Sequence, residues 1–189
     1  MLTLTQLSNQ TLGELFAEAE NHIPKLMRKS KVTGLSIAII DDQENVWSSG
    51  FGFADAKNKI KADAHTVYRA CSISKLFTAT AIMQLVEQGH IDLDKPVQHY
   101  LPELNIRSHR KNAQFTVRQL LTHHSGLPSD LLRGLGQLNT PKNTDFIKSI
   151  NQEFQAFAPG LLHSYSNLGF NLLGCLIEKV SGRPFAQVM

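Results

Sequence analysis

Ser72-Ile73-Ser74-Lys75-Leu76-Phe77-Thr78-Ala79-Thr80-Ala81-Ile82-Met83-Gln84-Leu85-Val86 is the stretch that decides how the rest of the chain is read. Its apolar residues fall on nearly every face of a helix closed by Gly89, and a helix apolar all round is expected to be buried. A lysine in the first turn of such a helix is an anomaly. An ammonium is costly to bury unless it is paired or its proton is wanted for chemistry. Ser72 precedes Lys75 by about one helical turn, so hydroxyl and amine share a face. The helix N-terminus adds backbone N–H groups and a positive dipole end. A nucleophile, a base and anion-stabilising donors therefore fit in one small volume. A plainer reading stands beside this one: Ser72 caps the helix and Lys75 reaches solvent.

Outward from that stretch, periodicity predicts an amphipathic helix from Thr11 to Ser30, with Pro24 as its weak point. Leu35–Ile40 and Val46–Ala54, joined by the polar Asp41–Asn45, read as a β-hairpin. Gly50 and Gly52 point to something packed close against its second strand. Residues 55–68 read as an exposed connection. Beyond Gly89 come a helical turn at Val97–Leu101, a short helix capped by Thr116, a helix over Asp145–Phe157 and a further one over Asn167–Val180. Ser129–Pro141 carries no clear pattern, and Arg183–Met189 reads as the start of one more helix. Only two strands are evident, and a lone hairpin is marginal. Either the helices cover it completely or its partner strands lie beyond Met189, and the second is the favoured expectation.

The chain has 189 residues and a formal charge of +3, with scattered Lys and Arg. Nucleic-acid binding needs a clustered basic face, which is absent from the pattern. Cys71 and Cys175 lie in apolar stretches and are expected as small buried hydrophobes. The N-terminus lacks the basic and apolar regions of a secretory signal, and no apolar run is long enough to span a membrane. The default expectation is a cytoplasmic location, or an extracytoplasmic one if the N-terminus was trimmed. No cofactor is implied. His123, His124 and His163 lack zinc-like spacing to carboxylates or cysteines. The expected partner is a small-molecule or peptide substrate. The oligomeric state is not specified.

A second constellation is Tyr165-Ser166-Asn167. In an extended segment, alternate residues point the same way, so Tyr165 and Asn167 can face one site. A tyrosine hydroxyl relays protons when a nearby cation lowers its pKa, and an asparagine can hold both a lysine and a substrate amide. The plainer reading packs Tyr165 in the core and makes Asn167 a helix cap. A second Ser-x-x-Lys copy, Ser108-His109-Arg110-Lys111, sits in a polar stretch and reads as solvated surface.

Taken together these residues resemble the serine β-lactamase-related family of class C β-lactamases, DD-peptidases and related esterases. The matching segments are Gly50-Phe51-Gly52-Phe53-Ala54, Tyr68–Ala79 around Ser72-x-x-Lys75, Leu120–Pro128 and Pro159-Gly160 followed by Tyr165-Ser166-Asn167-Leu168-Gly169. The resemblance runs from about Leu35 to the C-terminus. It implies a mixed α and β, β-lactamase/transpeptidase-like fold: an antiparallel sheet flanked by helices plus a helical region, with the C-terminal strands missing. Residues 1–189 are then the N-terminal part of one domain, with an N-terminal helix at about 11–30, a hairpin at about 35–54, a nucleophile helix at about 72–88 and a helical region at about 92–189.

The resemblance also implies roles. Ser72 is the acylated nucleophile of a serine hydrolase acting on an amide or ester (a β-lactam, a D-amino-acid peptide or a small ester), and its backbone N–H is half of an oxyanion hole. Lys75 and Tyr165 are the candidate bases, with the choice between them open. Asn167 orients Lys75 and the substrate amide. The family's third motif, Lys-Thr-Gly or His-x-Gly on a late strand, has no counterpart after Asn167. Lys31-Val32-Thr33-Gly34 and His124-Ser125-Gly126 resemble it in the wrong order. Impaired activity is therefore expected, and the alternative is an inactive family member or fragment serving as a binding module.

Overall fold

A computed structural model describes residues 9–108, 114–131 and 143–189, with the side chains of 9, 10 and 143–145 left aside. Lys111 of the second Ser-x-x-Lys copy and most of Ser129–Pro141 lie outside these residues. The chain divides into two compact units, Met1–Arg69 and Ala70–Met189.

In the first unit, helix α1 (Asn9–Ser30) precedes strands β1 (Gly34–Asp41) and β2 (Glu44–Asp55). These pair antiparallel, with Gly34 opposite Gly52 and Ile39 opposite Trp47. A register shift follows Ile39. The two turn residues, Asp42 and Gln43, have φ of 44° and 67°, the sign pattern of a type I′ hairpin turn. Phe16 of α1 stacks on Trp47 at 5.2 Å between ring centroids. The expected hairpin is thus present, but the sheet has three strands among the described residues rather than two. Ile60–Lys61 forms β3 and pairs with β2, so residues 55–68 are not merely a connection. A two-residue strand is too short to leave a period-2 pattern in the sequence. Gly50 meets the backbone of Ala62 and Asp63, where a Cβ would collide, which accounts for glycine on this strand.

The second unit opens with a 3₁₀ turn at Cys71–Ile73 that runs into α2 (Ser74–Glu87). Next come a 3₁₀ turn at Val97–His99, α3 (Val117–Leu121), α4 (Asn143–Ile150), α5 (Asn167–Ser181) and α6 (Phe185–Val188). Thr116 caps α3 through a reciprocal box with Gln119, bonds of 3.2 and 3.0 Å. Gly182, at φ 68°, closes α5. α4 stops at Ile150, short of the expected Phe157; from Glu153 the chain instead pairs with Arg107. α5 is the hub. Its Leu168, Leu172, Leu173, Leu176 and Ile177 are buried, and it packs against α2, α3, α4 and α6. Gly169 lies where α3 comes near, an added Cβ meeting Leu120 at 3.4 Å.

α2 is not buried on all sides. Thr78, Ala81, Ile82 and Leu85 are buried, while Ile73, Leu76 and Phe77 stay exposed. Cys71 is also exposed, against expectation, whereas Cys175 is buried and its thiol is pushed up to about 12, chiefly by burial. Among the described residues no helix is long and apolar enough to cross a membrane.

Candidate active site

Ser72, Lys75, Tyr165 and Asn167 all belong to the second unit, and the fold brings the four together. Ser72 comes from the 3₁₀ turn ahead of α2. Cys71 before it takes φ 47°, a left-handed conformation costing a non-glycine residue on the order of 1 kcal/mol. The cap reading fails here: neither the 3₁₀ turn nor α2 has a side-chain cap, and Ser72 Oγ is hydrogen-bonded elsewhere. It lies 2.7 Å from the Tyr165 hydroxyl and 3.4 Å from Lys75 Nζ, which donates to it.

Lys75 does not run out to solvent. Its ammonium donates to Asn167 Oδ1 at 2.6 Å and lies 4.8 Å from the Tyr165 ring centroid and 5.5 Å from that of Phe170. Two aromatic faces and two hydrogen bonds thus compensate a half-buried cation. Asn167 opens α5 but does not cap it; Ser166 does, accepting from Gly169 N–H at 3.0 Å. Tyr165 is 42% exposed, so it is no core residue. The Lys75 ammonium beside it, and then the Ser72 hydroxyl, hold its phenol below the ordinary range, while burial and the charge of Asp130 oppose them.

Two participants were missed by sequence reasoning. Asp130 Oδ1 accepts from Asn167 Nδ2 at 2.9 Å, which fixes the amide orientation that leaves Oδ1 for Lys75. Nothing in the spacing around Asp130 marks it. His123, whose spacing does not suit a metal ligand, has its ring 4.6 Å from that of Tyr165, and its Nδ1 accepts from Ser166 N–H at 3.1 Å. The loop that bears it is laced to the Tyr165 segment. Ser164 N–H donates to His123 C=O at 2.8 Å, Ser166 Oγ to Pro128 C=O at 2.7 Å, and Asn167 N–H to Ser129 C=O at 2.8 Å. Gly126, at φ 76°, lets this loop meet the Phe157 carbonyl, where a Cβ would collide. No group of three His, Cys, Asp or Glu side chains is arranged to hold a metal ion among the described residues.

A cavity of about 770 Å³ opens beside Lys75 and Asn167, walled by Phe146, Phe170 and Phe185. Ser72 and Tyr165 do not line it, and both are exposed. Chemically, the arrangement offers a serine hydroxyl in contact with a phenol of lowered pKa, next to an ammonium whose position is fixed by an amide and a carboxylate.

Residues 19–189 match the family model described as Beta-lactamase. Protein flp of Staphylococcus aureus (strain MW2) is 30% identical over 162 residues, covering 85% of this chain and 32% of flp. Among solved structures, the octameric penicillin-binding protein homologue from Pyrococcus abyssi superposes with a TM-score of 0.74 at 34% identity, covering 91% of this chain and 40% of that one. The D-amino acid amidase from Ochrobactrum anthropi SV3 gives a TM-score of 0.74 at 29% identity, over 88% of this chain and 45% of the amidase. The chain spans about a third of the length of the curated relative and under half of each structure.

Proposed function

The chain belongs to the beta-lactamase family, and from that premise we propose that it carries the nucleophile and base of a serine hydrolase that forms an acyl-enzyme at Ser72 on an amide or ester. The observation that carries this reading is the 2.7 Å contact between Ser72 Oγ and the Tyr165 hydroxyl, with Lys75 donating to Ser72 at 3.4 Å. A base must lie within hydrogen-bond reach of the proton it removes, and the phenol is the nearer of the two candidates.

Tyr165, as phenolate, takes the Ser72 proton while Oγ bonds to the substrate carbonyl carbon. The oxyanion that forms lies at the Ser72 end of α2, where the backbone N–H and the helix dipole favour negative charge. When the tetrahedral adduct collapses, the proton passes from Tyr165 to the leaving amine or alkoxide and the acyl group stays on Ser72. Water then repeats the attack, giving its proton to the phenolate, and the acid is released as Ser72 recovers its hydrogen. The Lys75 ammonium, held by Asn167, makes the phenolate less costly.

The substrate classes that fit are a β-lactam, a D-amino-acid amide or peptide, or a small ester. Two neighbours, a penicillin-binding protein homologue and a D-amino acid amidase, support the β-lactam and D-amino-acid members of that range. Among the described residues no strand follows Asn167 to supply a second oxyanion donor, so turnover by these residues alone is expected to be weak. The test is intact mass spectrometry of the folded chain after incubation with a fluorophosphonate or a fluorescent penicillin. Labelling at Ser72 that Ser72→Ala abolishes and Ser108→Ala retains is the expected result. A folded chain, by circular dichroism, that is never labelled at Ser72 by either reagent refutes the enzyme reading and favours a binding module.

A further inference from the structure

We propose that His123 is a positioning residue for Tyr165: as a neutral imidazole with its proton on Nε2, it holds the Tyr165 segment in register with Ser72, and proton uptake at Nδ1 releases that hold. The inference rests on the acyl-enzyme reading and adds a residue and an acid-side control to it.

The geometry is a clamp on both sides of the tyrosine. The His123 carbonyl accepts Ser164 N–H at 2.8 Å and its Nδ1 accepts Ser166 N–H at 3.1 Å, so the residues flanking Tyr165 are both bonded to the same histidine. Between these two bonds the imidazole lies against the phenol ring at 4.6 Å, tilted by 35°, and against Phe170 at 5.2 Å. Tyr165 therefore has His123 on one side and Lys75 on another. A backbone N–H can only donate, so Nδ1 must be the unprotonated nitrogen. An imidazolium would set two donors against each other at this position. His123 also takes φ 59°, a conformation that histidine, asparagine and aspartate tolerate better than most residues.

The surroundings oppose that extra proton. The imidazole faces His163 at 5.7 Å from the 160s segment, and His124 of its own loop meets His163 at 5.5 Å. From α2 the Lys75 cation contacts the same Tyr165 and Phe170 rings. The acid of this network, Asp130, is bonded to Asn167 and to Ser129 rather than to the imidazole. Burial, then the charges of His163, Lys75 and His124, hold His123 below the ordinary histidine range. The neutral clamp consequently persists at neutral pH and is lost only on acidification.

The experiment measures the rate of Ser72 acylation by a fluorophosphonate from pH 4.5 to 8.5 on the intact chain, with the tautomer of His123 read by two-bond ¹H–¹⁵N correlation on the same protein. Wild type is expected to show the Nε2–H tautomer at neutral pH and an acid limb below the ordinary histidine range, additional to any limb from Tyr165. His123→Phe keeps a ring but loses the acceptor, and the expected loss is about 10- to 100-fold in rate, as for a misplaced reacting group. His123→Asn places an amide oxygen where Nδ1 stood, so it restores most of the rate and removes the acid limb. An Nδ1–H tautomer in wild type overturns the proposal, as does an acid limb that persists unchanged in His123→Asn. Should wild type never acylate while the Nε2–H tautomer is seen and the Tyr165 ¹³Cζ titration shifts in His123→Phe, the clamp stands and the acyl-enzyme reading fails.

Discussion

Replacing Ser166 by alanine removes one hydroxyl that makes two bonds. Ser166 is 1% exposed, and its Oγ accepts Gly169 N–H at 3.0 Å while donating to Pro128 C=O at 2.7 Å. The first bond is the N-cap of α5, and losing such a cap costs about 0.5–2 kcal/mol. The second loss strands the Pro128 carbonyl, at about 1–3 kcal/mol. The bonds share one atom and are not independent, so the expected destabilisation is about 2–4 kcal/mol. At about 2–4 °C per kcal/mol for a chain of this length, Tm should fall by roughly 5–15 °C. Urea unfolding followed by circular dichroism measures the difference directly. Ser166→Thr keeps the hydroxyl on an extended backbone that suits a β-branched residue, and should recover most of the loss. Ser166→Asp retains a cap acceptor but sets a carboxylate against the Pro128 carbonyl, so it separates the two contributions. A change below about 0.5 kcal/mol in Ser166→Ala, the level of an ordinary surface substitution, would refute the account of Ser166 as the pin between α5 and the 123–130 loop.

Two further outcomes follow from the charges around the phenol. Tyr165→Phe should lower Ser72 acylation by about 10²–10⁴-fold, the usual contribution of a positioned base, and should remove the alkaline rise in rate. In wild type that rise should occur below the ordinary tyrosine value of 10.0, because the folded phenol loses its proton earlier; the pH profile of acylation checks both. Asp130→Asn removes the charge that opposes phenolate formation while keeping an acceptor for Asn167 Nδ2. The Tyr165 ¹³Cζ titration and the alkaline limb should both move to lower pH, and a shift to higher pH would contradict the sign assigned to Asp130.

The grouping of the candidate site's residues was legible in the sequence wherever it follows from local spacing. Ser72 and Lys75 are a helical turn apart, and Tyr165 and Asn167 are alternate residues of an extended segment. Both pairs can be placed on one face without knowing the fold. What could not be read is what depends on crossing points. Asp130 matters because a loop brings it to Asn167, and His123 because its loop runs beside residues 164–166. Neither fact leaves a period in the sequence. The β3 strand was hidden for a related reason, its two residues being fewer than any pattern needs. α2 is less buried than its sequence suggests: an all-round apolar composition states what a helix can bury, while the described residues bury Thr78, Ala81, Ile82 and Leu85 and leave Leu76 and Phe77 exposed.

The same distinction explains why the middle residue of Tyr165-Ser166-Asn167 is a serine. Its neighbours point at Ser72 and Lys75, the contacts on which the proposed acylation rests. Ser166 points the other way, as alternation on an extended backbone requires, and is buried against Pro128 and the first turn of α5. One residue therefore fixes the height at which α5 begins, and with it the positions of the tyrosine before it and the asparagine after it. Its backbone N–H, bonded to His123, fixes the rotation of the same segment. The hydroxyl contributes mainly to stability and the N–H mainly to the placement of Tyr165. Ser166→Ala and His123→Phe should accordingly separate: the first lowers Tm with a modest effect on the acylation rate of the protein that remains folded, and the second lowers the rate with a smaller effect on Tm. If both variants lose rate and stability in the same proportion, the segment is held as one undivided unit and the assignment of distinct tasks to the two groups is wrong.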